Sequence, residues 1–166
     1  EITRTPIKDK RGQLKYSVSV WVDITERKRA EELFRTLAHS APVGVYIVQD
    51  GKFQYVNPEF QKVTGYTEAE LKGADAFTLV FPDDRNMARE NAVKMLKGER
   101  LTPYEYRTLN KAGEVRWIVE TVTSITYQGK RAVLGNHMDI TERKQMQEQL
   151  IVTDRLASIG ELASGI

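Results

Sequence analysis

The chain contains no cysteine. Disulfides, thiolate metal sites, cysteine nucleophiles and any cysteinyl cofactor adduct are therefore excluded. Histidine is nearly as scarce. His39 and His137 are the only two, and no HExxH or similar spacing joins them, which argues against a metalloenzyme and against any metal site. An excess of one charge is missing as well. Lys and Arg number 25 against 23 Asp and Glu, a net +2. The signs alternate along the chain instead of gathering, which speaks against a nucleic-acid partner. No long apolar run exists either: the longest charge-free stretch, Thr36 to Gln49, holds a Pro and a Gly and is too short to span a bilayer. There is no signal peptide, and the chain opens on Glu1 instead of Met, which reads as an excised piece. What is present is ordinary material for a folded domain, 40% hydrophobic residues in a chain of 166. The expectation is a cytoplasmic module without membrane contact of its own.

The most informative feature is a repeat. Asp23-Ile24-Thr25-Glu26-Arg27-Lys28 recurs letter for letter as Asp139-Ile140-Thr141-Glu142-Arg143-Lys144, 116 residues further on. A strand-like run precedes each copy. Before the first, Tyr16, Val18, Val20 and Val22 alternate in phase, the period of a strand. Charged, helix-favouring residues without Gly or Pro follow each copy. A period near 116 exceeds that of solenoid repeats and suits tandem globular domains. One whole unit then lies between the copies. Residues 1–24 are expected to be the terminal hairpin of an upstream unit, turning near Lys10-Arg11-Gly12. The alternative is that they add edge strands to the central domain.

Between the copies the elements are legible. Thr25 to Ser40 places Ala30, Leu33, Phe34, Leu37 and Ala38 on one face, the stripe of an amphipathic helix. His39, near its end, suits the negative pole of the helix dipole. Val45 to Val48 and Phe53 to Val56 flank Asp50-Gly51, a strong hairpin signal. Asn57-Pro58 reads as cap and first residue of a helix that reaches Thr64 and stops at Gly65. Thr67 with Glu70 predicts a capping box on a short second helix. Pro82-Asp83-Asp84 opens a longer helix ending at Gly98, with Met87, Val93, Met95 and Leu96 as its apolar members. Strand-like runs follow from Tyr104 to Leu109, Val115 to Tyr127 and Arg131 to Asp139. Two strands, short helices, one longer helix and three strands predict an α+β fold, an antiparallel sheet with helices segregated to one side.

That order resembles the PAS fold, and several motifs match its pattern. Gly44-Val45 through Val48, Tyr55-Val56-Asn57-Pro58, Phe60, Thr64-Gly65-Tyr66, Glu70-Leu71 and Gly73 resemble the first half of a PAS domain. Pro82-Asp83-Asp84-Arg85 resembles the start of its long helix. Tyr104-Glu105-Tyr106-Arg107, Gly113 and Arg116-Trp117 resemble its second half, and Asp139-Ile140-Thr141-Glu142-Arg143 its exit motif. One departure is Phe81, where the family often has His. The resemblance implies a five-stranded antiparallel sheet with short helices on one side, flanked by connector helices. Its boundaries would be 25–40 for the first connector, 41–140 for the PAS domain and 141–166 for a signalling helix.

Beyond the exit motif, Arg155-Leu156-Ala157-Ser158-Ile159-Gly160-Glu161-Leu162-Ala163-Ser164-Gly165-Ile166 resembles the start of the dimerisation helix of sensor histidine kinases. Periodicity agrees independently. Val152, Leu156, Ile159, Ala163 and Ile166 are spaced 4, 3, 4 and 3, a coiled-coil seam.

The resemblance implies a sensory, dimerising PAS module that regulates autophosphorylation of a sensor histidine kinase in a two-component phosphorelay. The implied partners are a second copy through the connector helices, the kinase catalytic domain of the parent chain and, through it, a response regulator. The fragment itself is expected to be no enzyme: it has no Gly-rich phosphate loop and no nucleophile–base arrangement. Two alternatives are a ligand-free dimerisation scaffold and a PAS module serving another output, such as a cyclic-dinucleotide cyclase. Tyr46, Tyr55, Phe60, Phe77 and His137 are the candidate pocket residues, and Asp139, Thr141 and Glu142 the candidate couplers of signal to helix. Haem-binding relatives carry a histidine in the long helix, where Asp84 to Lys97 has none. A cysteinyl flavin adduct is excluded; the cofactor is otherwise open, and a small non-covalent ligand is compatible with the sequence.

Overall fold

Two hairpins in the central domain turn on a residue followed by glycine, Asp50-Gly51 and Gln128-Gly129. In the computed structural model all four sit at positive φ, at 51° and 75° in the first pair and 49° and 76° in the second. That is the two-residue turn whose twist matches the strands on either side. The structure describes residues 2–164, with side chains described through Ala157 and at Ile159. The chain divides into two units, residues 1–40 and 41–166.

In the first unit, β1 (Ile2–Lys8) and β2 (Leu14–Trp21) form an antiparallel hairpin that pairs Ile2 with Trp21 and Ile7 with Tyr16. Tyr16, Val18, Val20 and Trp21 are all exposed, Trp21 at 74%. Helix α1 (Thr25–Ser40) follows, and Leu33 and Leu37 of its apolar stripe are exposed.

The second unit holds β3 (Gly44–Gln49), β4 (Lys52–Val56), α2 (Pro58–Thr64), α3 (Glu68–Leu71), a 3-10 turn over Pro82–Asp84, α4 (Arg85–Leu96), β5 (Tyr104–Leu109), β6 (Val115–Tyr127), β7 (Lys130–Asp139) and α5 (Thr141–Ser164). The five strands form one antiparallel sheet in the order β4-β3-β7-β6-β5. Consecutive hairpins lie at the two sides, and the first strand meets the last in the middle. The expected capping box is present, with reciprocal bonds between Thr67 and Glu70. Asn57 caps α2 and is wholly buried, accepting from the amides of Val45 and Phe60 and donating to the Val43 carbonyl. One side chain thus joins β3 to the helix that follows β4.

The long helix departs from the sequence expectation in two respects. Its first turn is a 3-10 turn, and the α-helix begins only at Arg85. Its packed face is also different, since Met87 and Val93 are exposed while Ala88 is buried. Ala92, Met95 and Leu96 complete the contact with the core. Alanines at the contact let the helix lie close over the sheet, where larger side chains would hold it away. Asp84 fixes the start of α4 by accepting from the backbone amide and guanidinium of Arg107 on β5, and Arg107 holds the Asp84 carboxyl below its ordinary value.

Candidate ligand cavity and signal exit

Strand alternation aims one set of side chains at the helices. On that face, Tyr104 and Tyr106 of β5, Ile118, Glu120 and Val122 of β6, Val133, Gly135 and His137 of β7, and Tyr46 and Val48 of β3 come together. All of these but Ile118 and Gly135 share with α4 a cavity of about 230 Å³. Its walls are chiefly apolar, from Phe53, Phe60, Leu79, Val80, Ala92 and Leu96 among others.

One end of the cavity is polar. Glu120 is 5% exposed and accepts three tyrosine hydroxyls: Tyr46 at 2.6 Å and Tyr106 at 2.9 Å on Oε1, and Tyr104 at 2.5 Å on Oε2. Two of these fall in the short range of bonds from a hydroxyl to an ionised carboxylate. Burial pushes the Glu120 carboxyl up, and the three hydroxyls pull it back. The same burial, with the carboxylate beside them, raises Tyr46 and Tyr106 well above the ordinary phenol value.

Tyr46 reaches Glu120 only because residue 135 is glycine. A Cβ there would lie 2.1 Å from Cζ of the Tyr46 ring and 2.5 Å from its hydroxyl oxygen. The missing side chain is the space through which the tyrosine passes.

His137 completes the polar end. It is 2% exposed, packs at 4.7 Å against the Phe60 ring, and holds Nδ1 4.0 Å from Glu120 Oε1. That distance is too long for a hydrogen bond. Among the described residues, Nε2 has no hydrogen-bond partner. Burial pushes the imidazole down to about 4, against the opposing pull of Asp139, so it is neutral at physiological pH.

Four of the five expected pocket residues, Tyr46, Phe60, Phe77 and His137, line this cavity. Tyr55 does not: it pairs with Ile47, on the face opposite Tyr46. The reason is a register shift in the β3–β4 hairpin, which a reading of residue types alone cannot detect. Glu120 was missed, although a signal existed: it is a charged residue set between, and in phase with, the inward-facing Ile118 and Val122.

The signal exit starts two residues beyond His137. Asp139 Oδ1 accepts from the Thr141 amide at 2.8 Å, Thr141 Oγ1 accepts from the Trp117 amide at 2.9 Å, and the Ile140 amide donates to the Trp117 carbonyl. Helix α5 is thereby tied at its first residue to the beginning of β6. Glu105 on β5 adds contacts to Arg143 at 2.8 Å and Lys144 at 2.5 Å, and Lys144 lies over the Trp117 ring. No capping box joins Asp139 and Glu142 among the described residues: Asp139 accepts from the Thr141 amide, and the Thr141 hydroxyl oxygen is taken by an amide of β6. Of the residues expected to form a coiled-coil seam, Val152, Leu156 and Ile159 are exposed along α5. The side chain of Ala163, and Ile166 altogether, lie outside the described residues.

Comparison with known proteins agrees with this architecture. The sequence profile described as PAS fold matches residues 53–136. The chain belongs to the PAS fold family. It is 26% identical over 148 residues to the sensor histidine kinase TmoS of Ectopseudomonas mendocina, an alignment covering 82% of this chain and 15% of that protein. It is 29% identical to a blue-light-activated histidine kinase of Brucella ovis, covering 91% of this chain and 35% of the relative. Among solved structures, a sensory box histidine kinase/response regulator from Burkholderia thailandensis matches with a TM-score of 0.56 and 25% identity, over 77% of this chain and 97% of the other. The chain thus spans between about a sixth and a third of the length of these two curated relatives.

Proposed function

We propose that this chain is a sensory PAS module of a histidine kinase, in which the state of the cavity sets the orientation of α5 and through it the autophosphorylation of the parent protein. In this reading residues 1–24 are the last hairpin of an upstream PAS unit, residues 25–40 a connector, residues 41–140 the sensor and residues 141–166 the start of the kinase dimerisation helix. The module pairs with a second copy through the exposed apolar stripes of α1 and α5. The parent's catalytic domain and a response regulator lie downstream. The chain performs no catalytic step itself.

One observation carries the reading: the polar end of the cavity and the anchor of α5 sit on the same two strands. On β7, His137 lines the cavity and Asp139 holds Thr141. On β6, Glu120 lines the cavity, and the Trp117 amide, three residues earlier, holds the Thr141 hydroxyl. A shift of either strand by a fraction of an ångström is passed to the first turn of the helix. Losing a hydrogen bond of this kind typically costs about 1 kcal/mol, comparable to a signalling equilibrium. The names of the relatives support a kinase as the output. The light response named for the Brucella relative is not carried over in its cysteinyl form, since this chain has no cysteine.

The test is autophosphorylation of the full-length protein with Asp139→Ala and Thr141→Ala combined, measured beside the melting temperature. A folded variant whose activity no longer answers the stimulus supports coupling. Full switching, or activity that falls only as the domain melts, makes the junction a structural cap and removes the proposal.

A further inference from the structure

The polar end of the cavity is unevenly equipped. All three tyrosine hydroxyls already donate to Glu120, so none has a proton to offer a ligand. The remaining capacity is for accepting. Glu120 Oε2 receives Tyr104 alone among the described residues. His137 is neutral, and the carboxylate 4.0 Å from Nδ1 favours the tautomer with its proton on that nitrogen, leaving Nε2 as a bare acceptor. A buried acceptor without a donor costs free energy, and a ligand that supplies one recovers it.

Charge points the same way. The carboxylate is the formal charge at the buried end. Arg89 also lines the cavity, but it is exposed and stacks on Phe77 at 4.5 Å, where solvent screens it. Apart from Thr108, the rest of the wall is hydrocarbon and aromatic ring. In size, about 230 Å³ exceeds the roughly 150 Å³ in which an engineered apolar cavity holds benzene. There is room for a ring-sized body with a short arm.

We propose that this cavity binds a small apolar molecule ending in an ammonium group, whose N–H donors serve His137 Nε2 and the Glu120 carboxylate while its body fills the space under α4. The inference rests on the reading of the cavity as the sensory site and assigns its ligand class. Anions of the same size are excluded from the buried end by Glu120. Neutral alcohols satisfy one acceptor and leave the carboxylate without a counter-charge.

Three probes of nearly equal shape separate these cases: 2-phenylethylamine, 2-phenylethanol and phenylacetate, each titrated calorimetrically into the purified protein at neutral pH. The expected order is amine over alcohol by about tenfold or more, with no binding of phenylacetate. Glu120→Gln, which keeps the shape and removes the charge, should weaken the amine about tenfold or more and leave the alcohol nearly unchanged. If that variant fails to melt cooperatively, the ranking on the unaltered protein decides alone. Phenylacetate binding as tightly as the amine, or amine binding that survives Glu120→Gln in a folded variant, overturns the ligand class and leaves the sensory cavity standing. Binding of none of the three overturns both. Failure of the Asp139 and Thr141 coupling experiment, by contrast, leaves this ranking untouched.

Discussion

The two copies of Asp-Ile-Thr-Glu-Arg-Lys fold alike at their own scale. Asp23 and Asp139 each accept from the amide of the Thr two residues on, at 2.9 and 2.8 Å. Lys28 and Lys144 each donate to the carbonyl of the Ile four residues back, at 2.9 and 3.0 Å. The strand registers differ by two residues: Ile2 faces Trp21 in the first hairpin, whereas Ile118, 116 residues on from Ile2, faces Asp139 and His137 faces Glu120. The surroundings differ completely. Trp21 is 74% exposed, and His137, 116 residues on, is 2% exposed. Hairpin, turn and helix start are local structures, formed by residues close in sequence. Burial, the perturbed titration and the cavity require the other strands of a sheet. Two strands alone are marginally stable in water and cannot enclose a cavity.

The largest expected difference between the copies lies at Gly135 and its counterpart Ser19. Gly135→Val places atoms inside the Tyr46 ring and should cost about 3 kcal/mol or more in urea unfolding. Ser19→Val, on an exposed strand, should leave the transition of the central domain where it was. An equal effect at both sites would mean that the first hairpin is packed into the same core.

Next is the pH dependence. His137 is held at about 4 in the fold against 6.5 for the free group. In the unfolded chain it takes a proton below 6.5, and in the folded chain it does not until about 4. Stability is therefore lost as pH falls through that window, by roughly 3 kcal/mol in all. Glu120 acts in the opposite sense, because its raised carboxyl is better tolerated once protonated. The difference between the unaltered protein and His137→Phe isolates the histidine. The gap in unfolding free energy should change by that amount between pH 6.5 and 4, and a constant gap would show that the imidazole is charged in the fold.

A smaller contrast compares the caps. Asp139→Ala should lower stability by about 1 kcal/mol in denaturant melts. Asp23→Ala, on the fully exposed copy, should leave the main transition unchanged, and equal losses would contradict the difference in burial. Smallest in stability is the double change Leu156→Ser with Ile159→Ser. Both residues are exposed on α5, so melting of the domain should not move, while concentration-dependent self-association in sedimentation should disappear. Unaltered self-association would remove the seam from the dimer interface.

Most of the fold was legible because its signals are local. Asp50-Gly51, Asn57-Pro58, Thr67 with Glu70 and the letter-for-letter repeat each act through atoms within a few residues, so element order and the family resemblance could be read along the chain. Which face of α4 meets the core is not legible in this way. Met95 and Leu96 of its apolar members pack there, but Met87 and Val93 are exposed while Ala88 is buried, because the approach of the sheet is set by elements far away in sequence. Tyr55 was misplaced by a register shift in one hairpin.

By itself the sequence determined the strands, the turns, the helix starts, the exclusion of thiol chemistry and the membership of the tandem pattern. Only the tertiary structure decided that Tyr46, Tyr104 and Tyr106 converge on Glu120, that Gly135 is the gap one of them passes through, and that His137 lines a chiefly apolar cavity with Nε2 unpartnered among the described residues. These residues come from four strands spread over about ninety positions. Pairing in a sheet brings them within 3 to 4 Å, and the energy of a buried charge depends on those distances and on excluded water, neither of which is written in any one segment.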